Sequence, residues 1–234
     1  MSNDAERIAK TIEHTVLKPE TTPDQIDRLC EEAIEFAFHG VCVNPVHVAR
    51  AAGRLSRVDS TDRRIPVVVA PVGFPLGANL SSTKADEARR AMGDGATEVD
   101  MVAAIGALVA GDVDAVRRDV EAVARVVHDQ GGLVKVILET AVLTDGQIEI
   151  GCLACANGGA DFVKTSTGFH PAGGASVERV RLLSRFAFNR GVGVKAAGGI
   201  RDRATVEVMI AAGASRIGTS SGVAIMRGFE SSTG

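Results

Sequence analysis

Tryptophan and tyrosine are absent from the 234 residues, and eight phenylalanines are the whole aromatic complement. Single-stranded nucleic acid is gripped on aromatic platforms, and duplexes on basic surfaces. Neither is on offer, because 29 acidic residues outnumber 26 basic ones and the net charge is −3. No apolar run approaches the roughly 20 residues of a membrane-spanning helix. The opening Met-Ser-Asn-Asp-Ala-Glu-Arg has no apolar signal core. The four cysteines, Cys30, Cys42, Cys152 and Cys155, make no disulfide framework. Cys152-x-x-Cys155 falls in a helical pattern with no second pair, so packing is its expected role. His14, His39, His47, His128 and His170 lack the spacing of a zinc site, and His170 is expected at the surface. The expectation is a reduced cytoplasmic protein, without metal or other cofactor, with no nucleic-acid or membrane partner.

Lysine is the most informative shortage: six against twenty arginines. Arginine stays charged in proteins, whereas a desolvated lysine loses its proton readily enough to act as a nucleophile. A chain that favours arginine yet sets Lys135, Lys164 and Lys195 in apolar, strand-like runs needs the amine itself there.

What the chain does have is alternation. Strand-like runs cover Glu13–Leu17, Val41–Asn44, Ile65–Pro71, Thr97–Val102 and Leu133–Glu139. Two more end at Lys164 and Lys195, and an eighth is Ser215–Gly218. Helical patterns fall between them. One opens at Thr22-Pro23-Asp24-Gln25 and runs to about Phe38, and another opens at Thr144-x-x-Gln147, both as capping boxes. A helix from Pro45 to about Arg57 and a long one over Val113–His128 follow the same logic. Gly40, Gly95, Gly159, Gly191 and Gly213 stand where helix hands over to strand. Eight such units in one chain predict an α/β protein with a closed (β/α)8 TIM barrel and a short extra N-terminal helix. No linker divides the sequence, so residues 1–234 read as a single domain. An open doubly wound sheet is the alternative, but no G-x-G-x-x-G turn follows the first strand.

In such a barrel the reacting groups sit at the C-terminal ends of the strands. Lys164 and Lys195 end neighbouring strands, which brings their amines together. Burial and a nearby like charge both favour a neutral amine, and a neutral amine adds to an aldehyde or ketone to give a Schiff base. Asp100 ends the fourth strand and supplies an acid/base group. Period-two alternation sets Glu98 and Asp100 on one strand face and Lys135 and Glu139 on another. If both faces point inward, Glu98 and Lys135 pair lower in the barrel, with Asp100 above them. Gly198-Gly199-Ile200 and Gly218-Thr219-Ser220-Ser221 follow the seventh and eighth strands, the usual place for phosphate in this fold, and Arg201 adds charge.

At these residues the chain resembles the deoxyribose-phosphate aldolase family. The matching stretches include Glu13-His14-Thr15-Val16-Leu17-Lys18-Pro19, Gly73-Phe74-Pro75-Leu76-Gly77 and Glu98-Val99-Asp100-Met101-Val102. The most specific are Lys164-Thr165-Ser166-Thr167-Gly168 and Lys195-Ala196-Ala197-Gly198-Gly199. The resemblance implies a class I lyase acting on phosphosugar and aldehyde substrates. It would interconvert 2-deoxy-D-ribose 5-phosphate with acetaldehyde and D-glyceraldehyde 3-phosphate. It implies that Lys164 forms the Schiff base, Lys195 tunes it and Asp100 relays protons. Gly168, Gly198, Gly199, Gly218, Ser220 and Ser221 would hold phosphate. Barrels of this kind often pair, so a homodimer is expected. Three departures stand out: Glu13 replaces the family's usual aspartate, no asparagine stands near Ala104, and no tyrosine is available near the C-terminus.

Overall fold

The protein is described by a computed structural model covering residues 3–58 and 64–230. The C-terminal Ser231–Gly234, part of the tail noted above for its lack of tyrosine, lies outside the described residues. The strands are β1 (Ile12–Val16), β2 (Gly40–Val43), β3 (Val67–Val72), β4 (Glu98–Val102), β5 (Leu133–Ile137), β6 (Phe162–Lys164), β7 (Gly193–Ala197) and β8 (Arg216–Thr219). They pair in parallel in sequence order, and β8 closes on β1. Ten helices are described. They are α1 (Asn3–Ala9), α2 (Pro23–Glu35), α3 (Val48–Leu55), α4 (Ser81–Gly93), α5 (Ile105–Ala110), α6 (Val113–His128), α7 (Asp145–Asn157), α8 (Val177–Phe188), α9 (Arg203–Ala211) and α10 (Gly222–Glu230). The expected (β/α)8 barrel with its N-terminal helix is therefore present.

The strands read as apolar runs because both of their faces are covered. Outward-facing Val41, Val43, Val68, Ala70, Val99, Met101, Val134, Val136, Val163 and Ile217 join the core formed with the helices. At about 25 cal/mol for each Å² withdrawn from water, this layer is the main favourable contribution to folding. Both capping boxes form: Thr22 N–H donates to the Gln25 side chain at 2.8 Å, and Thr144 N–H to that of Gln147 at 2.8 Å. Ser176 and Asp202 cap α8 and α9, accepting from Arg179 and Thr205 amides.

Four boundaries differ from the sequence reading, each for a local reason. α2 stops at Glu35, because Phe36 caps it and Ala37 turns left-handed at φ 53, sending Phe38 into the core. The segment after Asn44 begins as a 3-10 turn, and helix proper starts only at Val48. β5 ends at Ile137, because Glu139 adopts φ 57 and ψ 58 and leaves the strand. A short helix, α5, follows β4 where no helix was expected; its sequence, IGALVA, is too short to show a period.

The four cysteines are all buried and unpaired as disulfides, as packing residues should be. Burial pushes the Cys30 and Cys42 thiols up to about 11 and the Cys152 thiol up to about 12.

Candidate active site

Inside the barrel the side chains alternate in charge. Asp100 (β4) is fully buried and touches three ammonium groups. Its Oδ1 lies 3.0 Å from Lys135 Nζ (β5); its Oδ2 accepts from Lys164 Nζ (β6) at 2.7 Å and from Lys195 Nζ (β7) at 2.6 Å. Lys195 also donates a very short hydrogen bond to Glu13 on β1. Lys135 reaches Glu98 Oε2 at 2.7 Å and Glu13 Oε2 at 3.5 Å. His39 backs the cluster from below through Glu98 Oε1 at 2.9 Å. The register explains the meeting, since Asp100 stands beside Lys135 and Lys164 beside Lys195 on adjacent strands.

Two of these contacts refine the sequence reading. Lys135 does not serve Glu98 alone; it bridges Glu98 and Asp100, so the lower ion pair and the upper acid are one assembly. Lys164 and Lys195 do share one site, but the Asp100 carboxylate stands between their amines rather than leaving them face to face.

The protonation of this cluster follows from its geometry. For Asp100, burial pushes the carboxyl up, but the ammonium groups of Lys135, Lys164 and Lys195 overcome it and hold the carboxyl well below its ordinary range. For Lys195, burial presses the amine to lose its proton, yet Asp100 and Glu13 outweigh that and raise its pKa. The same balance raises Lys135 through Asp100, Glu13 and Glu98. Lys195 and Lys135 are thus fixed cations.

Lys164 stands apart in its access. It is 4% exposed and lines a cleft of about 670 Å³, whereas Lys195 and Asp100 are sealed beneath the floor. The cleft walls carry Gly168, Gly198, Gly199, Gly218 and Ser220, with Arg201 at the rim. Ser221 is outside that lining and faces the groove between α2 and α10. Its amide donates to Thr219 Oγ1 at 2.9 Å. Gly198 must be glycine for two reasons: its φ is +93, and a Cβ there would stand 2.9 Å from Gly174 Cα. Gly218 has a further duty that sequence reasoning missed. A Cβ at that position would stand 3.0 Å from Ala197 Cβ and 3.1 Å from Lys195 Cε, so its bareness leaves room for the buried lysine stem.

The hydroxyl row after Lys164 is fastened from several sides. Thr165 Oγ1 bonds the Ala197 carbonyl and amide at 3.0 Å each, tying β6 to β7. Thr167 donates its hydroxyl to Glu139, the residue with the left-handed backbone. Strain of this kind persists only where its surroundings hold it, here a carboxylate that positions the loop beside Lys164. Thr219 Oγ1 donates to the Ile200 carbonyl at 2.7 Å, joining the two glycine loops. His170 is exposed, as expected.

A fourth buried lysine escaped notice. Lys84 on α4 donates to Asp119 at 2.7 Å and to the Val102 carbonyl at 2.9 Å, outside the barrel. The signal was present, because lysine is scarce throughout, but Lys84 sits in a helix and not at a strand end. One set of metal-type donors occurs among the described residues: Glu13, His39 and Glu98. The Lys135 and Lys195 ammonium groups already bind its two carboxylates, and their charge opposes a dication there.

A closed barrel whose cleft opens on one lysine of an otherwise sealed layer of charge defines a class: barrel enzymes that work on carbonyl carbon through lysine. The comparisons narrow this. The profile of the DeoC/LacD family aldolases matches residues 7–228, and the chain belongs to that family. It is 52% identical over 222 residues to the deoxyribose-phosphate aldolase of Thermococcus gammatolerans, covering 94% of this chain and 96% of the relative. It is 50% identical to that of Brevibacillus brevis, covering 94% and 95%. Among solved structures, a putative deoxyribose-phosphate aldolase from Coccidioides immitis superposes with a TM-score of 0.90 at 40% identity, covering 97% of this chain and 87% of that one. The deoxyribose phosphate aldolase of Aeropyrum pernix, described as tetrameric, gives 0.89 at 32% identity, covering 97% and 92%.

Proposed function

We propose that the protein is a class I aldolase that cleaves 2-deoxy-D-ribose 5-phosphate reversibly to acetaldehyde and D-glyceraldehyde 3-phosphate. The observation that carries this reading is Lys164. It is the one lysine of the buried charge cluster that opens on a cleft, and that cleft is walled by glycine and hydroxyl loops of the type that hold phosphate.

In the mechanism, the Lys164 amine adds to the substrate's aldehyde carbon and loses water to form an iminium. Loss of the proton from the C3 hydroxyl then breaks the C2–C3 bond, with the iminium taking the electron pair as an enamine. Glyceraldehyde 3-phosphate leaves. Protonation of C2 and hydrolysis release acetaldehyde and restore the amine. Asp100 orients Lys164 and passes protons with the help of water, while Lys195 stays charged beside it. Glu13 holds Lys195 in place, and its extra methylene relative to aspartate is taken up within the barrel. Gly168, Gly198, Gly199, Gly218 and Ser220 hold the phosphate, Ser220 standing just before the positive end of α10, with Arg201 at the rim. Ser221 supports that loop from behind.

Borohydride added with acetaldehyde is expected to fix a two-carbon adduct on Lys164, read by peptide mass spectrometry. An adduct that survives in Lys164→Ala, or none in the parent, rejects the assignment. Release of glyceraldehyde 3-phosphate, followed by a coupled dehydrogenase, separates deoxyribose 5-phosphate from other sugar phosphates as substrate. We also infer a cytoplasmic homodimer. Among the described residues, no helix is long and apolar enough to cross a membrane, and light scattering on the eluting peak measures the assembly.

A further inference from the structure

The barrel mouth holds a second chamber that the mechanism above leaves unused. The Lys164 cleft lies over the loops that follow β6, β7, β8 and β1. On the other side, over the loops of β3, β4 and β5, Pro75, Leu76, Ile105 and Val142 wall a cavity of about 440 Å³. Thr167 and Phe169 line both spaces. Phe169 extends from the β6 loop, and its ring meets Phe74 of the β3 loop edge-on, with centroids 5.1 Å apart and planes at 85°. The two rings form a bar across the mouth. The carboxylate that borders the second chamber, Glu139, is occupied by the Thr167 hydroxyl. Its remaining walls are mainly aliphatic.

We infer that this chamber is a subsite for the alkyl chain of a carbonyl donor longer than acetaldehyde, and that Phe169, braced by Phe74, sets donor specificity by closing it off. The inference rests on the Schiff-base reading of Lys164. Lys164 ends β6, with the phosphate loops of β7 and β8 on one side and the chamber above β4 and β5 on the other. A carbon bound to the Lys164 amine therefore has the phosphate end of the substrate to one side and the chamber to the other. In the synthetic direction a donor R–CH2–CHO condenses with the amine, releasing water. The iminium loses a proton from the CH2 group to give an enamine. The enamine carbon bonds to the aldehyde carbon of glyceraldehyde 3-phosphate, whose oxygen takes up a proton. Water then hydrolyses the product iminium and returns the amine. Where R is hydrogen the bar costs nothing; where R is an alkyl chain it needs the space beyond Phe169. Burying one methylene is worth about fourfold in binding or rate, so a two-carbon chain that enters the chamber gains roughly tenfold or more.

The test is the ratio of kcat/KM for butanal to that for acetaldehyde, with glyceraldehyde 3-phosphate as acceptor. Phe169→Ala is expected to raise this ratio at least tenfold over the parent. Filling the chamber as well, with Ile105→Trp, is expected to return it to the parent value. Phe169→Leu keeps an apolar residue that does not span to Phe74, and it gives the same readout should the alanine variant fold poorly. A ratio within twofold of the parent in the Phe169 variants, or a gain that persists with Ile105→Trp, overturns the inference. Failure of the underlying reading looks different: the parent then yields no borohydride adduct on Lys164 with acetaldehyde.

Discussion

Neutralising Asp100 is the sharpest test of the charge cluster. Its two oxygens meet the amines of Lys195, Lys164 and Lys135 at 2.6, 2.7 and 3.0 Å. At an effective dielectric constant near 20, each contact is worth about 6 kcal/mol before desolvation is charged against it. Three such contacts exceed the several kcal/mol needed to bury one carboxylate. Asp100→Asn removes the carboxylate that Lys135 and Lys195 share with Lys164, leaving the two fixed cations with only Glu13 and Glu98. Breaking a buried ionic assembly in this way costs about 3–5 kcal/mol, or on the order of 10 °C in Tm for a chain of this size. The pH dependence has a definite sign. Because the Asp100 carboxyl is held below its ordinary range in the folded state, its contribution is complete above the unfolded value of 3.8 and is lost as pH falls through the folded value. Urea unfolding at pH 7 is expected to show the full deficit, and the gap to the parent is expected to narrow as the pH is lowered from 5 toward 2. Turnover is expected to fall at least a hundredfold. A variant within 1 kcal/mol of the parent at pH 7 would refute the placement of Asp100 as the hub.

Other changes report on separate parts of the molecule. Gly198→Ala places a Cβ against Gly174 on a backbone at φ +93; a KM rise for phosphorylated substrate well beyond any rise for an unphosphorylated aldehyde is expected from initial-rate kinetics. Ala37→Gly relieves an exposed left-handed alanine at the end of α2 and is expected to add about 0.5–1 kcal/mol to stability in urea titrations. Raising the pH tests Lys195 from the other side. Its contribution is complete below the unfolded value of 10.5 and is lost as pH rises through a higher folded value, so Lys195→Met should differ less from the parent in strong alkali than at pH 8.

The barrel was legible because each unit carried its own local signals. Capping pairs such as Thr144 and Gln147, glycines at the handovers and doubly covered apolar strands needed no knowledge of distant contacts. Lys164, Lys195 and Asp100 were legible for a related reason, since a charge in an apolar strand costs too much to be incidental. What stayed hidden depended on packing between distant segments. Nothing near Glu139 announces its left-handed backbone, because the Thr167 hydroxyl it receives is 28 residues away. The same holds for Gly218, crowded by Ala197 and Lys195 on the neighbouring strand, and for Lys84, whose partner Asp119 lies on another helix. Ser221 shares a loop with Ser220, but Ser220 lines both the cleft and the groove beside α10, whereas Ser221 lines the groove alone.

The hydrogen bond between Lys195 and Glu13 joins residues 182 positions apart, from the seventh strand to the first. No partly assembled sheet brings those two groups within reach; the ring must shut before the amine finds its anion. Until then Lys195 lacks one of the two carboxylates that keep it charged, and the charge cluster beside Lys164 is incomplete. Turnover in this protein therefore doubles as a signal that the last seam has sealed, so during refolding it should emerge together with the slowest, longest-range pairing and not with the bulk of the helical signal.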